Sequence, residues 1–200
     1  MLRSSFTKDL IEAGCDEAGR GCLAGPVVAA AVIFPKKYRH KKLNDSKQLS
    51  KEEREELRFH IQRDAIAWAV GEVDHEEIDR INILNASFKA MHLALDKLVE
   101  RPELILIDGN RFKAYQDIRH ECVIKGDGKY LSIAAASILA KTYRDDFMNQ
   151  LAVQFGGYGW ETNVGYATLQ HREGIRLQGI TPYHRKSFTL LPEQLELFDM

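Results

Sequence analysis

Residues 10–34 read LIEAGCDEAGRGCLAGPVVAAAVIF, and this stretch decides the fold class. LIEAGC (10–15) and PVVAAAVIF (26–34) are short apolar runs, the second rich in valine and bounded by Pro26 and Pro35. Their length and proline punctuation predict two strands rather than a helix. Between them lie Asp16-Glu17 and a turn containing Gly19, Arg20 and Gly21. An acidic pair directly after a strand stands where open sheets collect ligands, outside the strand ends. Two glycines around one arginine let the backbone approach a ligand closely while Arg20 meets phosphate.

Working outward, Ser50 followed by Glu53 is a capping-box pattern that opens a charged helix through about Gln62. AIAWAVGEV (65–73) alternates like a strand. In the predicted helix from Asn82 to Val99, Phe88, Met91, Leu95 and Leu98 form an apolar stripe facing the core. LILID (104–108) reads as a buried strand ending at Asp108, and CVIK (122–125) as another ending just before Asp127. Ser132 to about Phe155 predicts a long helix whose first half, IAAASILA, is small and apolar enough to pack tightly on the sheet. An irregular GGYGWETNVGYAT stretch, a helix near 168–178 and a tail follow. Strands first, then strand–helix alternation, predict an α/β fold: a mixed sheet with helices on both faces. The division is a domain over 1–155 and a C-terminal helical segment with tail over 156–200.

The 200 residues carry 28 Lys+Arg against 29 Asp+Glu, a formal net charge of -1. That balance excludes a protein that holds nucleic acid by bulk positive charge, but not one with a local basic patch beside a local acidic site. The run KKYRHKK (36–42) is either a solvated loop or a phosphate contact surface. Cys15, Cys22 and Cys122 show no metal-ligand spacing and read as reduced thiols. The seven histidines show no ligand spacing either, and His184 beside Arg185 is structural or near substrate. Asp9 and Glu12 stand where a secretory leader would need apolar residues, and no apolar run is long enough to span a bilayer. The expectation is a soluble, cytoplasmic monomer.

The acids carry the chemistry. Asp16, Glu17, Asp108 and Asp127 all fall at predicted strand ends, whereas solvated acids decorate helices and loops. Four converging carboxylates repel one another and raise their own pKa values unless a cation compensates them. Hard divalent cations such as Mg²⁺ or Mn²⁺ take oxygen ligands and keep positions open for water and phosphate. Two such ions can activate an attacking water and steady the leaving oxygen of an in-line displacement. The competing reading is that each acid merely caps a turn.

DEAGRGCLAGPVVAAAV (16–32) resembles the signature of ribonuclease HII, the bacterial type 2 ribonuclease H. The resemblance continues in order through LNDSKQLS (43–50), LILIDGN (104–110), KGDGKYLSIAAASILAKTYRD (125–145), the Gly-Tyr-containing 156–168 stretch and HRKSF (184–188). It implies a ribonuclease H-like mixed five-stranded sheet flanked by helices, with a small C-terminal helical extension. It implies cleavage of RNA in RNA/DNA hybrids and at single ribonucleotides embedded in DNA, using Mn²⁺ or Mg²⁺, with two ions when substrate is bound. The ends produced are 5′-phosphate and 3′-hydroxyl. By the same resemblance Asp16, Glu17, Asp108 and Asp127 are the metal-binding catalytic acids. Gly19, Arg20 and Gly21 form the loop whose backbone reads the ribose 2′-OH, and Tyr166 packs on the sugar at the ribonucleotide–deoxyribonucleotide step. Lys47, Lys141 and Arg144 are substrate-phosphate or site-supporting residues. Around Tyr166 the chain reads TNVGYATLQH, where relatives more often have a lysine-rich lead and glycine or proline after the tyrosine. Asn163-Val164 therefore removes positive charge near the substrate.

Gln194-Leu195-Glu196-Leu197-Phe198, after Pro192, resembles the bacterial motif that docks peptides on the replication sliding clamp. Gln194, Leu195, Leu197 and Phe198 would be its anchors; alternatively Leu195 and Phe198 cap the protein's own C-terminal helix. Two other readings are ribonuclease HIII, whose members usually carry an extra N-terminal domain and lack the Gly-Arg-Gly loop, and a non-catalytic hybrid-binding or clamp-associated module. The intact set of acids argues against the last.

Overall fold

The computed structural model describes residues 2–191. Five strands form one sheet: β1 (Glu12–Ala18), β2 (Val27–Ile33), β3 (Ala67–Val73), β4 (Leu104–Asp108) and β5 (Arg119–Val123), in the order β3-β2-β1-β4-β5. β1–β2 and β2–β3 pair antiparallel, while β1–β4 and β4–β5 pair parallel. The mixed sheet is the predicted one.

Strand alternation sends side chains to two apolar layers. Ala13, Cys15, Ile105 and Ile107 face α3 (Ile83–Asp96), and Ala30 and Val32 face α1 (Lys51–Asp64) and α4 (Leu131–Gln154). α1 begins at a true capping box: Ser50 Oγ accepts from the Glu53 backbone, and the Glu53 carboxylate accepts from the Ser50 backbone. α4 is the central helix of its layer, with Leu131 through Ala140 all buried. It lies so close to β1 that a Cβ on Gly14 would overlap the Ser132 backbone, so Gly14 is what sets the α4–sheet distance. A third apolar cluster joins Leu23, Ala24, Met148 and Leu151 to Tyr158, Trp160 and Ile175, seating the C-terminal segment with α6 (Leu169–Gln178) on the far half of α4.

Three expectations are corrected. Asp16 and Glu17 lie inside β1 rather than after it, because the ladder with β2 continues to Ala18↔Val28. β5 starts and stops earlier than CVIK and is half-exposed, as an edge strand is, so Asp127 belongs to a 3-10 turn, Gly126–Gly128. The core face of α3 is Ala86, Ala90, Met91, Ala94 and Leu95; Phe88 is only partly buried and Leu98 lies past the helix end at Asp96, while the alanines let β3 approach so closely that a Cβ on Gly71 would overlap the Ala90 carbonyl. The structure adds α2 (His75–Ile81), a short helix capped by Asp74 in a stretch to which the sequence pattern assigned no element.

Candidate active site

Parallel pairing of β1 with β4, Cys15 opposite Ile107, brings Asp16 and Asp108 to the same sheet end and face. The turn after β5 adds Asp127, and carboxylate oxygens of the three lie within 4.8 Å of one another. Each is held by backbone donors: the Glu17 N–H donates to Asp16 at 2.7 Å, the Gly126 N–H to Asp108 at 2.6 Å and the Gly128 N–H to Asp127 at 2.9 Å. Glu17, one residue on, must point to the opposite face of the strand. It pairs with Arg20 at 3.1 Å instead of joining the three.

Asp16 is only 6% exposed. Burial, reinforced by the charges of Glu17 and Asp108, pushes its carboxyl well above the usual range. Burial also raises Glu17, against the pull of Arg20. Asp127 rises through burial and through Asp108 and Asp45. Such a cluster of oxygen donors, crowded and pushed toward protonation, is what a hard divalent cation relieves, so the residues fit Mg²⁺ or Mn²⁺ and not a soft thiolate-seeking metal.

The acids open onto a cleft of about 240 Å³ lined by Gly19, Arg20, Gly21, Lys47, Lys141 and Tyr166, together with Ser46 and Ser137. Lys47 sits on a 3-10 turn (Ser46–Gln48) whose cap, Asp45, accepts from the Lys47 N–H at 2.9 Å. Burial works against its charge, but Asp45, Asp127, Asp16 and Asp108 outweigh that and raise its pKa. Ser46 Oγ meets Ser137 Oγ at 2.8 Å, and Ser137 stands beside Asp16, where it favours the carboxylate. The two serines thus tie the lysine turn, α4 and the acid cluster together. Lys141 reaches the cleft while bound to Asp145 at 2.5 Å. Tyr166 is 42% exposed at the cleft mouth.

Arg144 departs from its grouping with substrate-binding residues. It is 1% exposed, and its guanidinium donates to the carbonyls of Ala24, Pro26 and Val164 at 2.8–3.0 Å. Of the two roles open in the sequence, it fills the site-supporting one. Arg185, which sequence reasoning passed over, does the same: it is fully buried and donates to Gly25, Arg20 and Pro26 carbonyls at 2.9–3.1 Å. Both arginines brace the loop that carries Gly19–Gly21. Gly19 has φ +95°, and a Cβ there would overlap Arg144 Nε.

His184 is structural. The Trp160 indole N–H donates to His171 Nε2 at 3.0 Å, which makes that nitrogen an acceptor and leaves His171 Nδ1–H to donate to the Tyr166 carbonyl at 2.9 Å. His184 Nδ1 accepts from the Thr181 N–H, so its Nε2–H donates to His171 Nε2 at 3.1 Å. Both imidazoles are neutral and both pKa values are lowered, His184 to about 4, chiefly by burial. Gln194, Leu195, Leu197 and Phe198 lie outside the described residues.

Ser46, Ser137, Asp45 and Arg185 are the site residues that motif reading left unassigned. The available signal was polarity out of place: Ser137 interrupts the apolar run IAAASILA.

A mixed five-stranded sheet with carboxylates gathered at one end of its parallel central pair defines a ribonuclease H-type, metal-dependent nuclease. The comparisons narrow this. The profile of the family described as ribonuclease HII matches residues 13–191. A ribonuclease HII of Parabacteroides distasonis is 68% identical over 197 residues, 98% of this chain and 99% of that protein. Among solved structures, ribonuclease H2 from Pyrococcus horikoshii is similar at TM-score 0.75 and 26% identity, covering 90% of this chain and 94% of that one. The ribonuclease HII of Archaeoglobus fulgidus, solved in complex with PCNA, gives TM-score 0.74 at 30% identity over 93% of this chain and 98% of that one. The chain belongs to the ribonuclease HII family. It is an endoribonuclease of the ribonuclease H type that depends on a divalent metal. Among the described residues, no helix is long and apolar enough to cross a membrane.

Proposed function

We propose that the cleft beside Asp16, Asp108 and Asp127 is the catalytic site, with Glu17 as the fourth acid, for cleavage of RNA in RNA/DNA hybrids and at single ribonucleotides embedded in duplex DNA. The observation that carries this reading is the meeting of three backbone-tethered carboxylates within 4.8 Å, two of them lining a cleft that also holds Lys47 and Tyr166. Asp16, Asp108 and Asp127 would hold Mn²⁺ or Mg²⁺, with Glu17, which lines the same cleft from the other face of β1, completing the set when two ions bind with substrate; the ions would activate water and steady the departing 3′ oxygen.

The chain's own residues bind and orient. Arg20 and Gly21 offer backbone N–H groups that make no hydrogen bond among the described residues, and these suit the ribose 2′-OH that separates RNA from DNA. Tyr166 presents its ring to the sugar on the deoxyribose side of the step. Lys47 and Lys141 face the phosphates, while Arg144 and Arg185 keep the Gly19–Gly21 loop in register with the acids. Residues 1–155 supply the acids, and the 156–200 segment supplies Tyr166. The tail residues Gln194, Leu195, Leu197 and Phe198 dock on a sliding clamp, a reading supported by the PCNA complex of the Archaeoglobus relative. The protein works as a cytoplasmic monomer.

The test is a DNA duplex with one embedded ribonucleotide. Cleavage should require Mg²⁺ or Mn²⁺ and leave 5′-phosphate and 3′-hydroxyl ends, and an all-deoxyribose duplex should stay intact. Indifference to the 2′-OH would refute the assignment of the Gly19–Gly21 loop. Deleting 193–200 should abolish clamp binding with hybrid cleavage unchanged; clamp binding by the truncated protein would refute the docking role.

A further inference from the structure

The acid cluster stands on a ridge between two depressions, and only one of them holds the lysine turn. On the α3 side, Glu17, Arg20 and Asp108 also line a groove of about 50 Å³ with Asn110, Arg111 and Phe88. Phe88 is shared in turn with a wider groove of about 390 Å³ that holds Lys89, His92 and Lys113. A continuous track therefore leaves the acids over the loop that follows β4.

That loop is built to present its charges. Phe112 is its anchor, with its ring 6.0 Å from Phe88, 5.3 Å from His92 and 5.2 Å from His120, packed against the core under α3. His92 Nε2 lies 2.8 Å from the Lys113 carbonyl and fixes the strand-like exit. The neighbours of Phe112, Arg111 and Lys113, are exposed. Lys89 is neutralised by Glu77 at 2.6 Å and Arg20 by Glu17, but Arg111 and Lys113 have no carboxylate partner among the described residues. Two free cations beside a site with four acids are matched to a polyanion laid across those acids.

We infer that Asn110, Arg111 and Lys113 form a second backbone subsite, which binds the sugar-phosphate chain of the substrate duplex on the side of the acid cluster away from Lys47 and Lys141. The inference rests on the nuclease reading of the cleft. A scissile phosphate held in line needs the chain fixed on both flanks, and the lysine turn fixes only one. Phosphate contacts of this kind position the duplex and carry no sequence information.

The experiment measures the dissociation constant of the ribonucleotide-bearing duplex, in EDTA, across a KCl series. Each cation on a phosphate contributes about 0.9 to the slope of log K against log salt, so Arg111→Ala/Lys113→Ala should lower the slope by about 2. KM for cleavage should rise with kcat within about twofold of wild type, because uniform binding is lost. Arg101→Ala/Arg119→Ala removes the same charge at the opposite end of the sheet and should keep the wild-type slope. Trimming the duplex on one flank should weaken wild type and leave the Arg111/Lys113 double variant unaffected; trimming the other flank should weaken both. A wild-type slope and KM in the Arg111/Lys113 variant, or an equal drop in the control, overturns the subsite. Wild type that binds with the expected slope and never cuts would instead overturn the nuclease reading and leave the subsite standing.

Discussion

Two neighbouring regions of this molecule bury charge, and they treat it in opposite ways. Behind the Gly19–Gly21 loop, the guanidiniums of Arg144 and Arg185 are spent entirely on backbone carbonyls, and His171 and His184 are locked as neutral tautomers. At the neighbouring sheet end, Asp16, Asp108 and Asp127 crowd together, tethered by backbone N–H groups and with Lys47 as the one cation among the described residues whose charge they support. Buried polar groups are normally satisfied within the protein, so the first region is scaffold. The second is satisfied only when something else is bound, which is the mark of a site. Substitutions should therefore damage stability in one region and activity in the other.

The largest effect expected is on cleavage. Asp16→Asn and Asp108→Asn should each lower the single-turnover rate by about 10³-fold or more, the loss of about 4 kcal/mol of transition-state stabilisation. Neither should lower the urea midpoint, and a drop in both rate and midpoint would erase the contrast. On the scaffold side, Arg185→Met removes the guanidinium donor from the Gly25 and Arg20 carbonyls, while Pro26 keeps its bond from Arg144. The variant's unfolding free energy in urea should fall by about 3–5 kcal/mol.

The pH response separates the regions by sign. His184 has a folded pKa of about 4 against an unfolded value near 6.5. The unfolded chain takes up protons first, so the His184 contribution is present above pH 6.5 and shrinks by about 3 kcal/mol as pH falls to 4. Asp16 is shifted upward, so the folded chain protonates first and its contribution is lost as pH rises above the unfolded carboxylate value. The Asp16→Asn variant should consequently lose stability on acidification more steeply than wild type; parallel curves from pH 7 to 4 would show that the two regions are not opposed. The smallest effect is at their seam: Gly19→Ala, with φ +95° and Arg144 in the way, should cost about 1–3 kcal/mol in thermal unfolding.

The comparison also explains what the sequence made legible. Strands betray themselves through alternation and apolar runs, so β1, β2 and β4 could be placed from LIEAGC, PVVAAAVIF and LILID, with β1 ended one acid pair too early because charged residues break the apolar run. Alternation also dictated that Asp16 and Glu17 part company, though adjacency in sequence invites treating them as a pair. Asp127 was tied to the wrong kind of element because β5 is an edge strand, whose half-exposed residues leave a weak pattern. Arg144 stays open in the sequence between phosphate ligand and site support, and Arg185 carries no role there, because a guanidinium spent on carbonyls looks the same in sequence as one facing solvent. Only the long-range fold, with Arg185 reaching back to the Arg20–Pro26 carbonyls, distinguishes the two.

The central claim is that the buried acids are incomplete without a divalent cation. Titrating Mn²⁺ into wild type and Asp16→Asn at pH 7, with the melting temperature as readout, tests it most directly. Wild type should gain about 2.7 kcal/mol at a hundredfold excess over its dissociation constant, roughly 5–10 °C for a chain of this size. Asp16→Asn should start at a higher melting temperature than metal-free wild type and rise little on titration. An equal rise in both proteins, or none in wild type, would contradict the account.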